Sequence, residues 1–222
     1  MRTNYRVTVI IPCYNEMRTV GSVIEIAYTW QHADQIIVID DGSTDRTAEV
    51  LRQFGKSITV ISNRVNLGKG HAIGSGIKYA RRPILVFLDA DTCGLTHKYL
   101  DALVKPIVNN ESDMSLGMVR FFRLPAKGPR REITGFRAIR KSVLSGHLSE
   151  IRTSRYGVEV LMNSIVGRSR MTEVDLPHVF ILDKFVKTPG ITTVFSYMRE
   201  GWELFVQILK NIARRLTNYA YR

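Results

Sequence analysis

The chain has 222 residues, of which 45% are hydrophobic, so it can bury a full core and is too apolar for a disordered protein. Its two cysteines, Cys13 and Cys93, are too few for a disulfide framework and lack the spacing of a zinc site, which predicts a reducing, cytoplasmic setting. The net charge of +12 favours an anionic partner: a nucleic acid, nucleotide phosphates or an acidic membrane.

The first hundred residues alternate short β-branched runs with helical patterns. The runs predict strands at 7–11, 35–39, 57–61 and 84–88, and the patterns predict helices at about 18–31, 45–54 and 70–80. This alternation is typical of right-handed βαβ units. The sequence therefore predicts an α/β fold with a Rossmann-like, mostly parallel sheet flanked by helices.

The second half has a less regular pattern. It predicts helices at about 96–108, 141–151 and 158–166, and strands at 113–122, 135–140 and 170–176. The N-terminus lacks the apolar stretch of a signal peptide and no run is long enough to span a bilayer, so we expect a soluble or peripheral protein.

The last predicted helix, at about 192–219, is amphipathic. Its apolar residues recur at alternating steps of four and three, and arginine and lysine lie elsewhere around it: Met198, Trp202, Phe205, Leu209, Ile212, Leu216 and Tyr219 form the apolar series. Such a helix could lie on an anionic membrane, dock on the preceding domain or pair with a second copy. Docking is the commonest of these outcomes.

Polar residues follow each of the first four predicted strands. Asp89-Ala90-Asp91 comes directly after the apolar run 84–88, and the segments 12–16, 40–45 and 63–70 follow the other three. Parallel strands deliver such residues to the carboxyl edge of the sheet, where open α/β folds bind ligands. Carboxylate oxygens suit Mg²⁺ or Mn²⁺, and the convergence is more specific than any one loop.

Each of these polar residues has a functional and a structural interpretation. Asp41 can accept hydrogen bonds from a base or ribose, and Lys69 can reach a diphosphate as a point charge. Asp45 could instead cap a helix, and Tyr14 could be an aromatic residue at the rim. We favour the structural interpretation for Asp45 and the functional one for Asp41 and Asp91.

Four segments of the first half, in order and at the usual spacing, resemble the signature of family 2 glycosyltransferases of the GT-A fold. They are Ile10–Glu16, Val38–Asp45, Asn66–Gly70 and Leu88–Asp91. The second half is similar, more loosely, to the dolichol- or polyprenyl-phosphate mannosyltransferase branch. That likeness lies at Thr134–Lys141, Tyr156–Met162 and Glu173–Pro177.

The resemblance implies a division of labour along the chain. Residues 1–190 would form the GT-A domain, with a nucleotide-sugar and metal half at 1–95 and an acceptor half at 96–190, and 191–222 would be the C-terminal amphipathic helix. The residues implied to surround the nucleotide are Pro12, Tyr14, Glu16, Ile39 and Asp41.

The resemblance also implies a metal site. Asp89 would lie near the ribose or phosphate with Ala90 beside it, and Asp91 would bind the Mg²⁺ or Mn²⁺ that bridges the diphosphate. His178 could complete this metal site, although a histidine at the end of a strand is more often structural. Asp89 is the remaining candidate metal ligand.

The implied reaction moves a hexose from GDP-mannose or UDP-glucose, with inversion, to a polyprenyl or dolichyl phosphate or another membrane-associated acceptor. Arg120, Arg137 and Arg140 could bind the anionic acceptor or the diphosphate, or they could be solubilising residues of an exposed strand. Glu159 could be the general base for a soluble or saccharide hydroxyl acceptor, or an ordinary first-turn helix carboxylate.

Two departures from the branch affect the acceptor side. Only residues 124–133 fill the place of a longer insertion, and residues 178–187 replace a basic Arg-x-Arg-Gly-Glu-Ser-Lys stretch. Other functions have less support: the glycine-rich, arginine-containing loop of sugar nucleotidyltransferases is absent after the first strand, and only the charge supports nucleic-acid binding. We expect a cytoplasmic enzyme that could contact the inner face of the membrane.

Overall fold

The computed structural model describes residues 5–121, 134–181, 198, 201–203 and 205–211, with the backbone alone at 119–121. Four βα repeats open the chain, as the sequence predicts. Their strands are β1 (Val7–Cys13), β2 (Ala33–Asp40), β3 (Thr59–Ser62) and β4 (Ile84–Phe87). Helices α1 (Val20–Thr29), α2 (Thr47–Gln53) and α3 (Lys69–Tyr79) connect them, and α4 (His97–Val108) follows β4.

The second half completes the sheet and covers one of its faces. Its strands are β5 (Thr92–Cys93), β6 (Met114–Phe121), β7 (Arg137–Arg140) and β8 (Met171–Ile181). Its helices are α5 (Lys141–Leu144), α6 (Leu148–Thr153) and α7 (Val158–Val166). The eight strands lie in the order β3-β2-β1-β4-β7-β6-β8-β5.

The sheet is mixed but mostly parallel. β1 pairs in parallel with β2 and β4, and β2 with β3. β7 enters antiparallel between β4 and β6, β6 and β8 are parallel, and β5 is antiparallel to β8. The predicted α/β class with a Rossmann-like, mostly parallel sheet is confirmed.

Alternate residues of the central strands point to opposite faces of the sheet and fill two cores. Val9 and Ile11 pack with residues of α1, α2 and α4, whereas Ile10 packs with residues of α3, α5, α6 and α7. Strands buried on both faces need continuous apolar runs, which is why β1, β2 and β4 contain the runs Val9–Ile11, Ile36–Ile39 and Ile84–Phe87.

Three elements differ from the sequence prediction. The predicted helix at 141–151 is two short helices, α5 and α6, separated around Gly146. The two-residue strand β5 was not predicted. Strand β8 continues past Pro177 because the register shifts there: Val119 faces Leu176, and the next residue of β6 faces Phe180. Proline has no backbone N–H, so it cannot donate a hydrogen bond to a neighbouring strand. At this bulge Pro177 has no partner residue in β6 that would need one.

The C-terminal helix is described in part. Positions 198, 201–203 and 205–211 are helical, and the rest of the predicted 192–219 helix lies outside the described residues. Among the helices that the structure describes, none is long and apolar enough to cross a membrane.

Candidate active site

The predicted polar segments meet at the carboxyl edge of the sheet. β1, β2 and β4 are parallel, so the residues that follow them emerge at the same edge. β7 runs the other way and begins there, since Arg137 pairs with Phe87 at the end of β4. This antiparallel strand is how the second half of the chain contributes side chains to the same place as Asp89.

Lys69, the first residue of α3, lies between two carboxylates at this edge. Its Nζ is 2.7 Å from Oδ1 of Asp89 and 2.6 Å from Oε1 of Glu159. The side chains of Lys69, Asp89 and Glu159 are 20%, 13% and 5% exposed, so water screens these charges poorly. These two ion pairs form a bridge between the predicted donor half, which contains Lys69 and Asp89, and the predicted acceptor half, which contains Glu159.

The electrostatics of the bridge favour its charged form. Burial alone would lower the pKa of Lys69, but the charges and hydrogen bonds of Asp89 and Glu159 outweigh it and raise this pKa above its ordinary value. Together with the buried guanidinium of Arg137 beneath it, the ammonium group of Lys69 balances the two carboxylates. Asp91, two residues beyond Asp89, adds a further carboxylate.

Asp89 packs against the backbone of Gly135, a residue without a side chain. A Cβ at position 135 would lie 2.1 Å from Oδ2 and 2.2 Å from Oδ1 of Asp89, far closer than atoms can approach. Gly135 thus leaves the space that this carboxylate fills. The sequence places Gly135 in a strand pattern but gives no sign of this contact.

Arg137 is wholly buried beneath the bridge. Its guanidinium donates hydrogen bonds to the backbone oxygens of Glu159 and Thr134 and to Oδ1 of Asn163, and its Nε has no partner among the described residues. Burial lowers the pKa of Arg137 to about 10, partly offset by Glu159 and Asp89, so it stays charged at neutral pH. With no exposed surface it cannot contact an acceptor, which corrects that prediction.

Asp41 fastens the loop between β3 and α3. Its Oδ1 accepts from Asn63 Nδ2 at 2.7 Å and from Leu67 N at 3.0 Å, and its Oδ2 accepts from Gly68 N at 2.7 Å. The side chain is buried and so committed to the segment that carries Lys69. Asp41 therefore positions this loop, whatever else it contacts.

The loops after β1 and β2 are hydrogen-bonded to each other. Asn15 adopts the left-handed conformation at φ 58°. Its Oδ1 accepts from Thr44 N at 2.8 Å, and its backbone N donates to Ser43 Oγ at 2.9 Å. Asp45 accepts from Thr47 N at 2.9 Å at the start of α2, in keeping with its structural interpretation. The sequence analysis missed Asn15 and Asn63, although asparagine at a turn is a recognised signal for these conformations.

The other predicted nucleotide-binding residues divide by exposure. Tyr14 is exposed, and Pro12 and Glu16 are partly exposed, so all can meet a ligand. Ile39 and Ala90 are buried, and Ile39 packs in the core beside α3. The side chain of Ile39 thus belongs to the core, and the place of Ile39 beside the nucleotide stays a prediction.

The predicted metal ligands are not assembled into one cluster. Within the described residues, no group of three or more His, Cys, Asp and Glu side chains is placed to hold a metal ion. The backbone oxygen of His178 lies against Gly94, and β5, the two residues that follow Asp91, pairs with Phe180 and Ile181 of β8. Asp89 is engaged by Lys69, and metal binding by Asp91 and His178 stays a prediction.

Arg120 and Arg140 lie at opposite ends of their strands. Arg120 is near the end of β6, at the same edge as Asp89, but its side chain lies outside the described residues. Arg140 pairs with Ile84 at the start of β4, across the sheet from the site, and its guanidinium binds Asp113 and Asn110. The predicted role of Arg140 in acceptor binding is corrected by this position.

The family of the chain follows from comparison with known sequences. The family described as "Glycosyl transferase family 2" matches residues 8–158, a span that includes the loops after β1, β2, β3 and β4 and ends at the first residue of α7. The chain belongs to glycosyl transferase family 2. The match to this family confirms the resemblance seen in the sequence.

Curated relatives align with part of the chain only. A poly-beta-1,6-N-acetyl-D-glucosamine synthase of Staphylococcus epidermidis is 36% identical over 89 residues, which are 39% of this chain and 22% of that protein. A 4,4'-diaponeurosporenoate glycosyltransferase of Staphylococcus aureus is 32% identical over 100 residues, 44% of this chain and 27% of that protein. The matched stretch is less than a third of either relative.

Solved structures share the fold over nearly the whole chain. A glucosyl-3-phosphoglycerate synthase from Mycobacterium tuberculosis, in complex with Mn²⁺, UDP-glucose and phosphoglyceric acid, superposes with a TM-score of 0.72 at 19% identity. The superposition covers 93% of this chain and 79% of that one. A further mycobacterial protein has the same TM-score at 21% identity. This likeness shows the GT-A fold. The likeness to the polyprenyl-phosphate mannosyltransferase branch stays a prediction.

Proposed function

We propose that the chain transfers a hexose from a nucleotide sugar to a polyprenyl or dolichyl phosphate or another membrane-associated acceptor, with inversion at the sugar. GDP-mannose and UDP-glucose are the donors to test. One observation carries the proposal: Lys69 is shared between Asp89 and Glu159 at the sheet edge where Asp91 also emerges. A lysine that bridges two carboxylates beside a third, Asp91, suits a metal diphosphate better than a neutral ligand.

The loops of the donor half supply the nucleotide side of this site. Tyr14, Pro12 and Glu16 line its accessible rim, and Asp41 holds the loop that begins α3. Lys69 stands at the first position of α3, where free backbone N–H groups and the helix dipole also favour a phosphate. In the proposed complex Lys69 turns from Asp89 to the donor diphosphate and keeps its contact with Glu159.

Mg²⁺ or Mn²⁺ fits this site as an ion that arrives with the donor. The oxygen ligands are of the type that these cations prefer, and Mg²⁺ is commonly held by one or two carboxylates together with substrate phosphates. Asp91 would be its protein ligand, and Asp89 would join once Lys69 has turned away. The ion would stabilise negative charge on the leaving diphosphate.

The reaction exchanges one bond at the anomeric carbon. The bond from this carbon to the diphosphate oxygen breaks, its electron pair leaves with the diphosphate, and the acceptor oxygen bonds from the opposite face, which inverts the configuration. A phosphate monoester has a second pKa of about 6, so at neutral pH its oxygen is already a nucleophile. Such an acceptor needs no general base.

The contact between Lys69 and Glu159 supports the phosphate acceptor. A general base must be free to take a proton, but the ammonium group of Lys69 already occupies Oε1 of Glu159 at 2.6 Å. Glu159 thus acts by holding Lys69 in place. The acceptor half at 96–190 contributes this residue and Arg137 beneath it.

A hydroxyl acceptor is the second candidate. The mycobacterial synthase of the same fold is complexed with phosphoglyceric acid, which is a soluble acceptor-sized molecule, and Glu159 is a carboxylate at the site edge. Here Lys69 would move to the diphosphate and free Glu159 as the base. An acidic limb in the pH profile of kcat, absent in Glu159→Gln, would identify this chemistry.

The proposed enzyme works in the cytoplasm, with a possible peripheral site at the inner face of the membrane. Membership of a glycosyltransferase family removes the reason to consider a nucleic-acid-binding module, which only the net charge of +12 supported. That charge is instead available to anionic donors and anionic surfaces.

Donor binding tests the proposal directly. A thermal-shift series with UDP-glucose and GDP-mannose, each with and without Mn²⁺, should raise the Tm with one donor, since a ligand at 100 times its Kd stabilises a protein by about 2.7 kcal/mol. Asp91→Asn should keep the Tm of the free protein and lose the increment that Mn²⁺ adds. Asp175→Asn, at an exposed position of β8, is the matched control. No response to any nucleotide sugar would exclude the proposed reaction.

A further inference from the structure

The C-terminal helix docks on the domain through its polar face. Glu203, Gln207 and Asn211 recur at steps of four, so they lie on one side of the helix. Gln207 and Asn211 are buried, and Asn211 Nδ2 donates to the backbone oxygen of Val160 in α7 at 3.2 Å. Amphipathic helices of soluble domains normally bury the opposite, apolar side.

Two further contacts fix this orientation. Glu203 accepts from Arg155 NH1 at 3.0 Å and from Tyr156 N at 3.3 Å. Gln207 packs directly on Gly157: a Cβ atom at position 157 would lie only 2.4 Å from the Cβ of Gln207. The polar side is thus the packed side, by hydrogen bonds and by close backbone approach.

The apolar side points away from the domain. Met198, Trp202, Phe205 and Leu209 recur at steps of four, three and four, and they are 66%, 65%, 50% and 49% exposed. The rings of Trp202 and Phe205 lie 5.9 Å apart between centroids. We call these four residues the apolar stripe. Contiguous exposed apolar residues of this size mark an interaction surface.

The charges around the stripe favour an anionic surface. Lys210 is exposed beside it, and the adjoining sequence supplies three arginines, Arg199, Arg214 and Arg215, against one acidic residue, Glu200. The acidic residue of the described helix, Glu203, is turned inward and paired with Arg155. Aromatic residues in a basic setting are the composition of helices that lie in the headgroup region of anionic membranes.

We propose that the apolar stripe binds the surface of an anionic phospholipid bilayer, with the helix axis in the membrane plane. The bilayer would then lie on the side of the helix opposite α7. Arg155 also packs against Gly68, so one residue connects the lipid-bound helix to the loop before Lys69. The proposal requires no sugar transfer and is tested without a nucleotide sugar.

The two tryptophans make a direct test. Trp30 is buried and bonded to Asp101, so lipid should leave its emission unchanged, whereas Trp202 is exposed. The full chain is titrated with vesicles of phosphatidylcholine alone or with about a third phosphatidylglycerol. With the anionic vesicles we expect a blue shift, reduced acrylamide quenching and flotation. Trp202→Phe should float but lose the spectral change.

Matched variants locate the contact. Phe205→Ser with Leu209→Ser should weaken vesicle binding about tenfold or more, whereas Tyr28→Ser with Tyr79→Ser, which changes exposed aromatic residues on α1 and α3, should leave it unchanged. Neither pair touches the proposed active site. Raising salt from 0.1 to 1 M should also weaken binding, because the Debye length falls from about 10 to 3 Å.

Three results would overturn the proposal. The first is no flotation with anionic vesicles at low salt. The second is equal binding by both variant pairs. The third is shielding of Trp202 from acrylamide without vesicles, increasing with protein concentration, which would mean that a second copy of the chain covers the stripe. Loss of donor binding with intact vesicle binding would refute the proposed reaction alone.

Discussion

Clusters of acidic and basic side chains lie at both edges of the sheet, and they differ in balance. At the carboxyl edge one cation, Lys69, is shared by Asp89 and Glu159. At the opposite edge one carboxylate, Asp113, is shared by Arg140 and Arg170. The first cluster is buried, and Lys69 with Arg137 beneath it balances the two carboxylates, whereas Arg170 is 65% exposed and its cluster is in excess of positive charge.

This difference separates a site from a structural tie. Asp113 joins the start of β6 to the end of β7 and to the residue before β8, and its backbone also bonds Arg140 and Arg170. The opposite cluster borders an open cavity of about 590 Å³, but its one carboxylate is bonded to both arginines. The carboxyl-edge cluster instead adjoins Asp91, the carboxylate that we propose meets the metal ion of the donor.

The largest expected effect comes from removing the central cation. Lys69→Met leaves two poorly hydrated carboxylates together, and loss of one partner of a buried pair typically costs about 3–5 kcal/mol. Arg170→Met removes an exposed partner of Asp113 and should cost about 0–1 kcal/mol. Urea denaturation of both variants measures the contrast. Equal losses in the free energy of unfolding would contradict the difference between the two clusters.

A smaller effect should follow from filling the space beside Asp89. Gly135→Ala would place a methyl group on the carboxylate, and such overpacking typically costs about 1–3 kcal/mol. The displaced Asp89 should also weaken the Mn²⁺-dependent part of donor binding. Gly146→Ala, where a Cβ meets nothing within 4 Å, is the control. Unchanged stability and donor binding in Gly135→Ala would contradict the arrangement described for Asp89.

The smallest effect concerns His71 beside the donor loop. Arg152 can only donate, so the Nε2 of His71 at 2.7 Å must accept, and the ring is neutral. Burial and then Arg152 lower the pKa of His71 below 6.5, so the unfolded chain takes up this proton first. The stabilisation is complete above about pH 6.5 and is lost as the pH falls through the folded-state pKa.

The measurement for His71 is the Tm between pH 8 and 5. His71→Asn should reduce the fall in Tm over this range by about 2 °C or less, in keeping with well under 1 kcal/mol. Arg152→Met removes part of the cause and should reduce it by a smaller amount. A steeper fall in either variant would contradict a lowered pKa.

The sequence predicted local elements well because their signals are local. The β-branched runs and turn residues placed β1, β2, β3 and β4 within a few residues, and the order of elements gave the mostly parallel sheet. The division of 141–151 into two helices was missed because Ser145, Gly146 and His147 only weakly oppose a helix. The bulge at Pro177 depends on the partner strand, so no local pattern could indicate it.

The sequence predicted which loops form the site but not how their side chains contact one another. The sequence brought Asp41, Lys69, Asp89 and Asp91 to one edge, but it could not pair Lys69 with Glu159, because that contact depends on how α7 packs. Arg137 and Arg140 look alike in an alternating strand. The antiparallel insertion of β7 buries one at the site and sends the other to the far edge. The exposure of each arginine, and the edge of the sheet at which it lies, depend on the tertiary structure.

The docking of the C-terminal helix has a practical consequence for work with shortened chains. A version that stops before position 198 would strip Tyr156 N of its acceptor and leave the Arg155 guanidinium without Glu203. Both residues adjoin Gly157 and the start of α7, where Glu159 is anchored. Removal of the C-terminal helix would therefore loosen α7, whose Glu159 holds Lys69. Low activity in such a shortened chain would reflect this lost support.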